Sequence, residues 1–129
     1  MHVLIDAGLI LDLLLARNPF AKETRAIIHA SSEGRCVAFI IPAFAGRLGL
    51  NGYWRQKMRE VVAAVEICPI DRVVLQAALA LPLTDLNAAL HVASATIHGI
   101  DAIATRNPKR YKDAVLPIFS SADFLAQLQ

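Results

Sequence analysis

The chain has 129 residues, 56% of them hydrophobic, and its 13 basic and 11 acidic side chains give a net charge of +2. That length fits one domain, residues 1–129, able to bury about 68% of its unfolded surface. Charges such as Asp12 and Arg17 cut every apolar run short of the roughly 18 to 20 residues that a membrane span needs, and the net charge is too mild to announce nucleic-acid binding by itself.

Val3-Leu4-Ile5 reads as a short buried strand near residues 3–6 and delivers Asp6 to its carboxyl end, where open parallel sheets gather their chemistry. Helices are predicted near residues 9–16 and 20–32, then a second strand at 36–41 with the continuous apolar pattern Cys-Val-Ala-Phe-Ile-Ile. Pro42 opens a helical region predicted to pass Gly52 and end near Val65. A third strand follows at Val65–Ile70, and Asp71 is a suitable N-cap for a helix at 72–80. Pro82 breaks the chain; the next helix is expected from Thr84 to about His98, with Gly99 as its stop. Residues 101–105 supply a fourth strand and 116–119 a fifth, before Ser120 or Ser121 caps a terminal helix reaching Gln129. This alternation predicts an α/β domain with a mainly parallel sheet of about five strands, the first strand lying beside the one at Asp101.

Cys36 and Cys68 stand in apolar surroundings without CxxC spacing and read as reduced core thiols, and with no secretory leader pattern the expected location is the cytoplasm. Residues 34–59 contain no acid but hold Arg35, Arg47, Arg55, Lys57 and Arg59, and a second basic cluster comprises Arg106, Lys109, Arg110 and Lys112. The stretch Tyr53-Trp54-Arg55-Gln56-Lys57 has a composition suited to nucleotide stacking, although packing of the aromatics on the core or a partner explains it better. Asp12 reads as an exposed or capping carboxylate. His91 and His98, seven residues apart without nearby acids, read as surface or interface histidines. The chain has no G-x-G-x-x-G, no G-x-x-x-x-G-K-[ST] and no G-x-S-x-G, which weakens dinucleotide, P-loop and hydrolase readings.

Three segments together are similar to the PIN domain, a fold of metal-dependent ribonucleases that includes toxins of bacterial toxin-antitoxin pairs. They are Val3-Leu4-Ile5-Asp6-Ala7-Gly8 running on to Leu14, Asp85-Leu86-Asn87-Ala88-Ala89-Leu90-His91 running on to Ala95, and Asp101 to Tyr111 with its Thr105-Arg106-Asn107 triplet. The resemblance spans essentially the whole chain and implies a PIN-like three-layer sandwich. It also implies carboxylates converging on Mg²⁺ or Mn²⁺, hard ions that favour oxygen ligands and can activate a water against a phosphodiester.

On that resemblance, Asp6, Asp85 and Asn107 are the candidate catalytic residues, Asp6 and Asp85 the candidate metal ligands, and Arg47, Arg106, Lys109 and Arg110 the candidate nucleic-acid contacts. The acidic set is incomplete. Ala7 and Gly8 replace the polar pair after Asp6, Arg47 stands where an acid or amide is expected, and Ala88 aligns with a metal-binding Asp. Arg47 is therefore expected to fill the ion's place beside Asp6 as a charge-assisted partner. For Asp85, a role in the cleft and a role capping its helix both stand open. The implied function is a PIN-type Mg- or Mn-dependent RNA endonuclease lineage with activity weak or lost. The alternative is a silent PIN-like protein that binds single-stranded RNA or an antitoxin-like protein partner. The high apolar content leads to the expectation of a homo-dimer or larger homo-oligomer.

Overall fold

The computed structural model describes residues 1–43, 52 and 54–129. Its sheet has five parallel strands, β1 (His2–Ile5), β2 (Val37–Ile40), β3 (Glu66–Ile67), β4 (Ala102–Thr105) and β5 (Ile118–Ser120), in the order β3-β2-β1-β4-β5 among the described residues. The central strand β1 (His2–Ile5) pairs with β2 (Val37–Ile40) on one side and β4 (Ala102–Thr105) on the other. In this register Ile5 lies between Ile40 and Ala104, so the next residue, Asp6, emerges at a shared carboxyl edge. Apolar side chains on both faces suit β1 to the middle of a sheet covered on both sides. The outer strands are short: β3 (Glu66–Ile67) and β5 (Ile118–Ser120).

Side-chain alternation along β1 divides the core. Val3 and Ile5 join α1 (Ala7–Leu14), α2 (Phe20–Ser32), α3 (Trp54–Ala64) and α6 (Ser121–Gln127) on one face. Leu4 joins Ile103 and the Ala88, Val92 and Ala95 face of α5 (Leu86–Ile97) on the other. Outside α5, α4 (Arg72–Leu79) packs Val74 and Ala78 against Ala89, Leu90 and Ala93. Small residues on α5 let both the sheet and α4 approach it closely.

Punctuation of the chain follows local chemistry. Asp71 accepts the Val74 N–H at 3.0 Å to start α4, Ser120 accepts the Asp123 N–H at 3.1 Å to start α6, and Gly99 takes φ +65° just past the end of α5. Asp85 rather than Thr84 caps α5. The third strand stops short of the expected 65–70: after Cys68 donates to the Ile40 carbonyl, the next donor in this parallel ladder would be residue 42, and Pro42 has no N–H. A 3₁₀ turn at Pro108–Tyr111, which periodicity did not suggest, has proline in its first turn. The expected helical region between Pro42 and Val65 is α3 at its carboxyl end; Pro42, Ala43 and Gly52 are not helical, and residues 44–51 and 53, Arg47 among them, lie outside the described residues. Trp54 packs on the core and carries the Arg55 guanidinium 5.3 Å above its ring. Cys36 and Cys68 are free and buried, and burial pushes both thiols up.

Candidate functional site at the carboxyl ends of the central strands

Because β1 and β4 are parallel neighbours, their carboxyl ends bring Asp6 and Thr105 together. Asp6 extends the sheet by one bond, donating its N–H to the Ala104 carbonyl at 2.9 Å. Its carboxylate is only 1% exposed. Oδ2 accepts the Thr105 hydroxyl at 2.7 Å, and that hydroxyl oxygen in turn accepts the Asn107 N–H at 3.1 Å. Oδ1 faces the start of α1, where it accepts the Gly8 N–H at 3.5 Å. Asp6 is thus the cap of α1, buried where the carboxyl ends of β1 and β4 meet.

Asp85 reaches the same place from the start of α5. Its Oδ1 accepts the Ala88 N–H at 3.1 Å, while Oδ2 accepts both Nε and Nη2 of Arg110 at 2.8 Å. Arg110, carried by the 3₁₀ turn after β4, also places Nη1 3.7 Å from Asp6 Oδ2. One guanidinium therefore spans the two carboxylates that the sequence marks as metal ligands. Burial opposes ionisation of Asp85, but the Ala88 N–H and the Arg110 guanidinium outweigh it and hold the carboxyl below its usual range. Burial likewise works against the Arg110 charge and is overcome by Asp6 and Asp85, so its pKa rises.

Two residues are corrected by the structure. His91 is not at the surface: it is fully buried, its Nδ1 2.6 Å from the Asn87 carbonyl and its Nε2 3.2 Å from the Ala7 N–H. Since the Ala7 amide donates to Nε2, the proton belongs on Nδ1, and the 3.7 Å approach of Nε2 to Asp6 Oδ1 is a contact rather than an ion pair. Asp12 is likewise neither exposed nor a cap. It is fully buried, and Oδ1 takes Arg106 Nη1 at 2.8 Å and Arg17 Nε at 2.9 Å while Oδ2 has no hydrogen-bond partner among the described residues. Burial raises its pKa against the pull of the two arginines. The signal for both was present: each interrupts a run of apolar residues whose helix is buried nearly all round.

Tyr111, which sequence reading passed over, is 2% exposed and its hydroxyl has no hydrogen-bond partner among the described residues. Burial first, and the Asp6 charge second, push the phenol far up. The remaining candidates sit around this centre. Arg106 leans its stem toward Gly8, lays its guanidinium 4.6 Å over Phe20 and is anchored by Asp12. Lys109, Arg110 and Lys112 line a groove of about 380 Å³ with Thr84 and Asp85. Asn107 is exposed and joins the network through its backbone N–H. Arg47, the expected partner of Asp6, lies outside the described residues; the guanidinium found there is that of Arg110.

Comparison with known proteins adds one decisive match: a PIN domain family model covers residues 2–109. The chain belongs to the PIN domain family. Its fold agrees with FitAcB from Neisseria gonorrhoeae at a TM-score of 0.61 and 15% identity, over 93% of this chain and 98% of that one. PAE2754 from Pyrobaculum aerophilum gives a TM-score of 0.61 at 15% identity, over 99% of this chain and 96% of that one. FitAB bound to IR36 DNA fragment gives 0.53 at 14% identity, over 92% and 94%. At these identities the likeness is one of fold. No curated protein matches the sequence.

A PIN domain that binds Mg²⁺ or Mn²⁺ must offer the ion several oxygens, about six including waters. Here both Asp85 oxygens and Asp6 Oδ2 are engaged by N–H and O–H donors, and a permanent cation lies between them. Ala88 contributes only its backbone N–H, and among the described residues no three His, Cys, Asp or Glu side chains converge as ligands. As arranged, this PIN donor set does not fit the ion. Among the described residues no helix is long and apolar enough to cross a membrane.

Proposed function

We propose that the protein is of PIN-type nuclease lineage and that its Mg- or Mn-dependent cleavage of single-stranded RNA is weak or lost. The observation that carries this reading is the Arg110 guanidinium held between Asp85 and Asp6. PIN chemistry asks the acidic cluster to hold a metal and position a water; in this chain the same carboxylates are satisfied by an arginine, a threonine hydroxyl and helix N–H groups. Asp6 and Asn107 retain the framework of the site, and Asp85 serves as cap and ion-pair partner.

Incubation of the purified protein with fluorescently labelled single-stranded RNA in Mn²⁺ tests the reading. Background-level cleavage, equal in Asp6→Asn, is expected; robust cleavage that requires Mn²⁺ and disappears in Asp6→Asn refutes it.

A second function, binding without cleavage, is favoured by the groove of Lys109, Arg110 and Lys112, whose cations can follow phosphates or an acidic peptide such as an antitoxin-like partner. FitAB, a structure of similar fold, is bound to a DNA fragment. Association into a homo-dimer or larger homo-oligomer is supported by exposed Val73, Leu79 and Leu86 on and beside the α4–α5 pair. A cytoplasmic location accords with these roles.

A further inference from the structure

We propose that Arg110 is a resident counter-cation which closes a latent divalent-metal site, and that neutralising this one side chain opens the site to Mn²⁺. The inference rests on the functional reading above and adds a specific physical cause, lodged in the turn after β4, to the acids missing from the sequence.

The geometry supports it in three ways. First, Arg110 is tethered: two of its nitrogens converge on a single Asp85 oxygen at 2.8 Å, and a third faces Asp6 at 3.7 Å. A guanidinium stays charged at any pH the fold survives, so it repels an approaching dication and competes for the same lone pairs. Second, the walls around it are oxygen-rich. Besides Asp6 and Asp85 they include the Thr105 hydroxyl on Asp6 and the phenol of Tyr111, which is 2% exposed and without a hydrogen-bond partner among the described residues. An oxygen so placed is a ready partner for a hydrated ion's water once the guanidinium is gone. Third, Arg110 lies partly open to the groove, its side chain 29% exposed, so its removal leaves a path from solvent.

The site would differ from an ordinary acidic cluster in having part of its charge cancelled by its own chain. Asp6 and Asp85 are two carboxylates and Arg110 returns one positive charge, which weakens the field that would draw a metal in. Arg110→Gln restores the full negative charge, keeps a polar side chain at the position and removes the cation.

The test uses the full chain and Mn²⁺ alone, read by thermal unfolding and by the electron paramagnetic resonance signal of free Mn²⁺. Wild type is expected to show no Mn²⁺-dependent rise in Tm. Arg110→Gln is expected to rise by about 4 °C or more once Mn²⁺ exceeds its Kd roughly tenfold, and to lose that rise when Asp6→Asn is added. Arg110→Lys, which keeps the charge, is expected to behave as wild type. Asp6-dependent Mn²⁺ binding by the wild type, equal binding by Arg110→Lys and Arg110→Gln, or no binding by folded Arg110→Gln would each overturn the proposal. Should a variant not fold, the wild-type measurement decides alone: Asp6-dependent binding refutes the proposal and its absence supports it. Robust RNA cleavage by the wild type that requires Mn²⁺ but persists in Asp6→Asn would instead refute the functional reading and leave this one standing.

Discussion

Thr105→Val isolates the bond that holds Asp6 in place. Valine matches threonine in shape, so no cavity forms at this fully buried position, and only the hydroxyl is lost. Two hydrogen bonds go with it. The Asn107 N–H belongs to an exposed residue, and water can replace its partner at nearly no cost. The 2.7 Å bond to the Asp6 carboxylate cannot be replaced so easily, because that side chain is 1% exposed. A buried hydrogen bond to a charged acceptor contributes about 2 kcal/mol, and for a chain of this length that loss lowers Tm by roughly 7 °C. Urea unfolding at neutral pH reads the change, with the denaturant slope expected to stay constant. Thr105→Ser keeps the hydroxyl and gives up one buried methyl, costing about 1 kcal/mol. A Thr105→Val protein within about 0.5 kcal/mol of wild type, or one more stable than Thr105→Ser, refutes the assignment of that bond as the anchor of the site.

Asp85 has a pKa below its ordinary value of 3.8, so its contribution to stability is full above that pH and is lost as the pH falls through the lower folded value. Acid titration of stability is expected to be shallower in Asp85→Asn, and an unchanged acid limb contradicts the Arg110 and Ala88 contacts. Asp12 acts in the opposite sense: with its pKa raised above 3.8, its share of stability is full below that pH and declines as the pH rises through the raised value, a decline that Asp12→Asn should remove. Gly8→Ala is expected to stabilise by about 0.5–1 kcal/mol, since Gly8 lies in α1 and its added Cβ meets the Arg106 side chain at 3.6 Å and Asp6 Oδ2 at 4.0 Å, both ordinary contacts. Calorimetric melting checks it, and a lower Tm in Gly8→Ala would mean that Arg106 cannot yield.

What the sequence reveals follows how local the determining forces are. The α2 span, the caps at Asp71 and Ser120, the stop at Gly99 and the central place of β1 beside β4 all follow from periodicity, capping chemistry and the α/β rhythm. The site is legible only in part. Asp6 and Asp85 stand out by position, but the identity of their partners does not, because Arg110 meets Asp85 across 25 residues and His91 meets Ala7 across 84. No sequence pattern encodes which of several cations swings into a cleft. Arg47, expected beside Asp6, lies outside the described residues; the guanidinium of Arg110 stands 3.7 Å from Asp6 on a turn that periodicity does not mark. Asp12 and His91 depart from expectation for a related reason: polar residues on helices usually face water, and only the crowding of apolar neighbours on every side betrays these two.

The central strand has a temporal consequence. Thr105 lies 99 residues beyond its partner Asp6. During synthesis β1 leaves the ribosome with neither flanking strand made, and its second neighbour arrives only when most of the chain is out. The cleft therefore cannot take shape piecemeal on a growing polypeptide; it closes late, as a product of long-range assembly, and until then its apolar core strand is exposed to whatever first meets it.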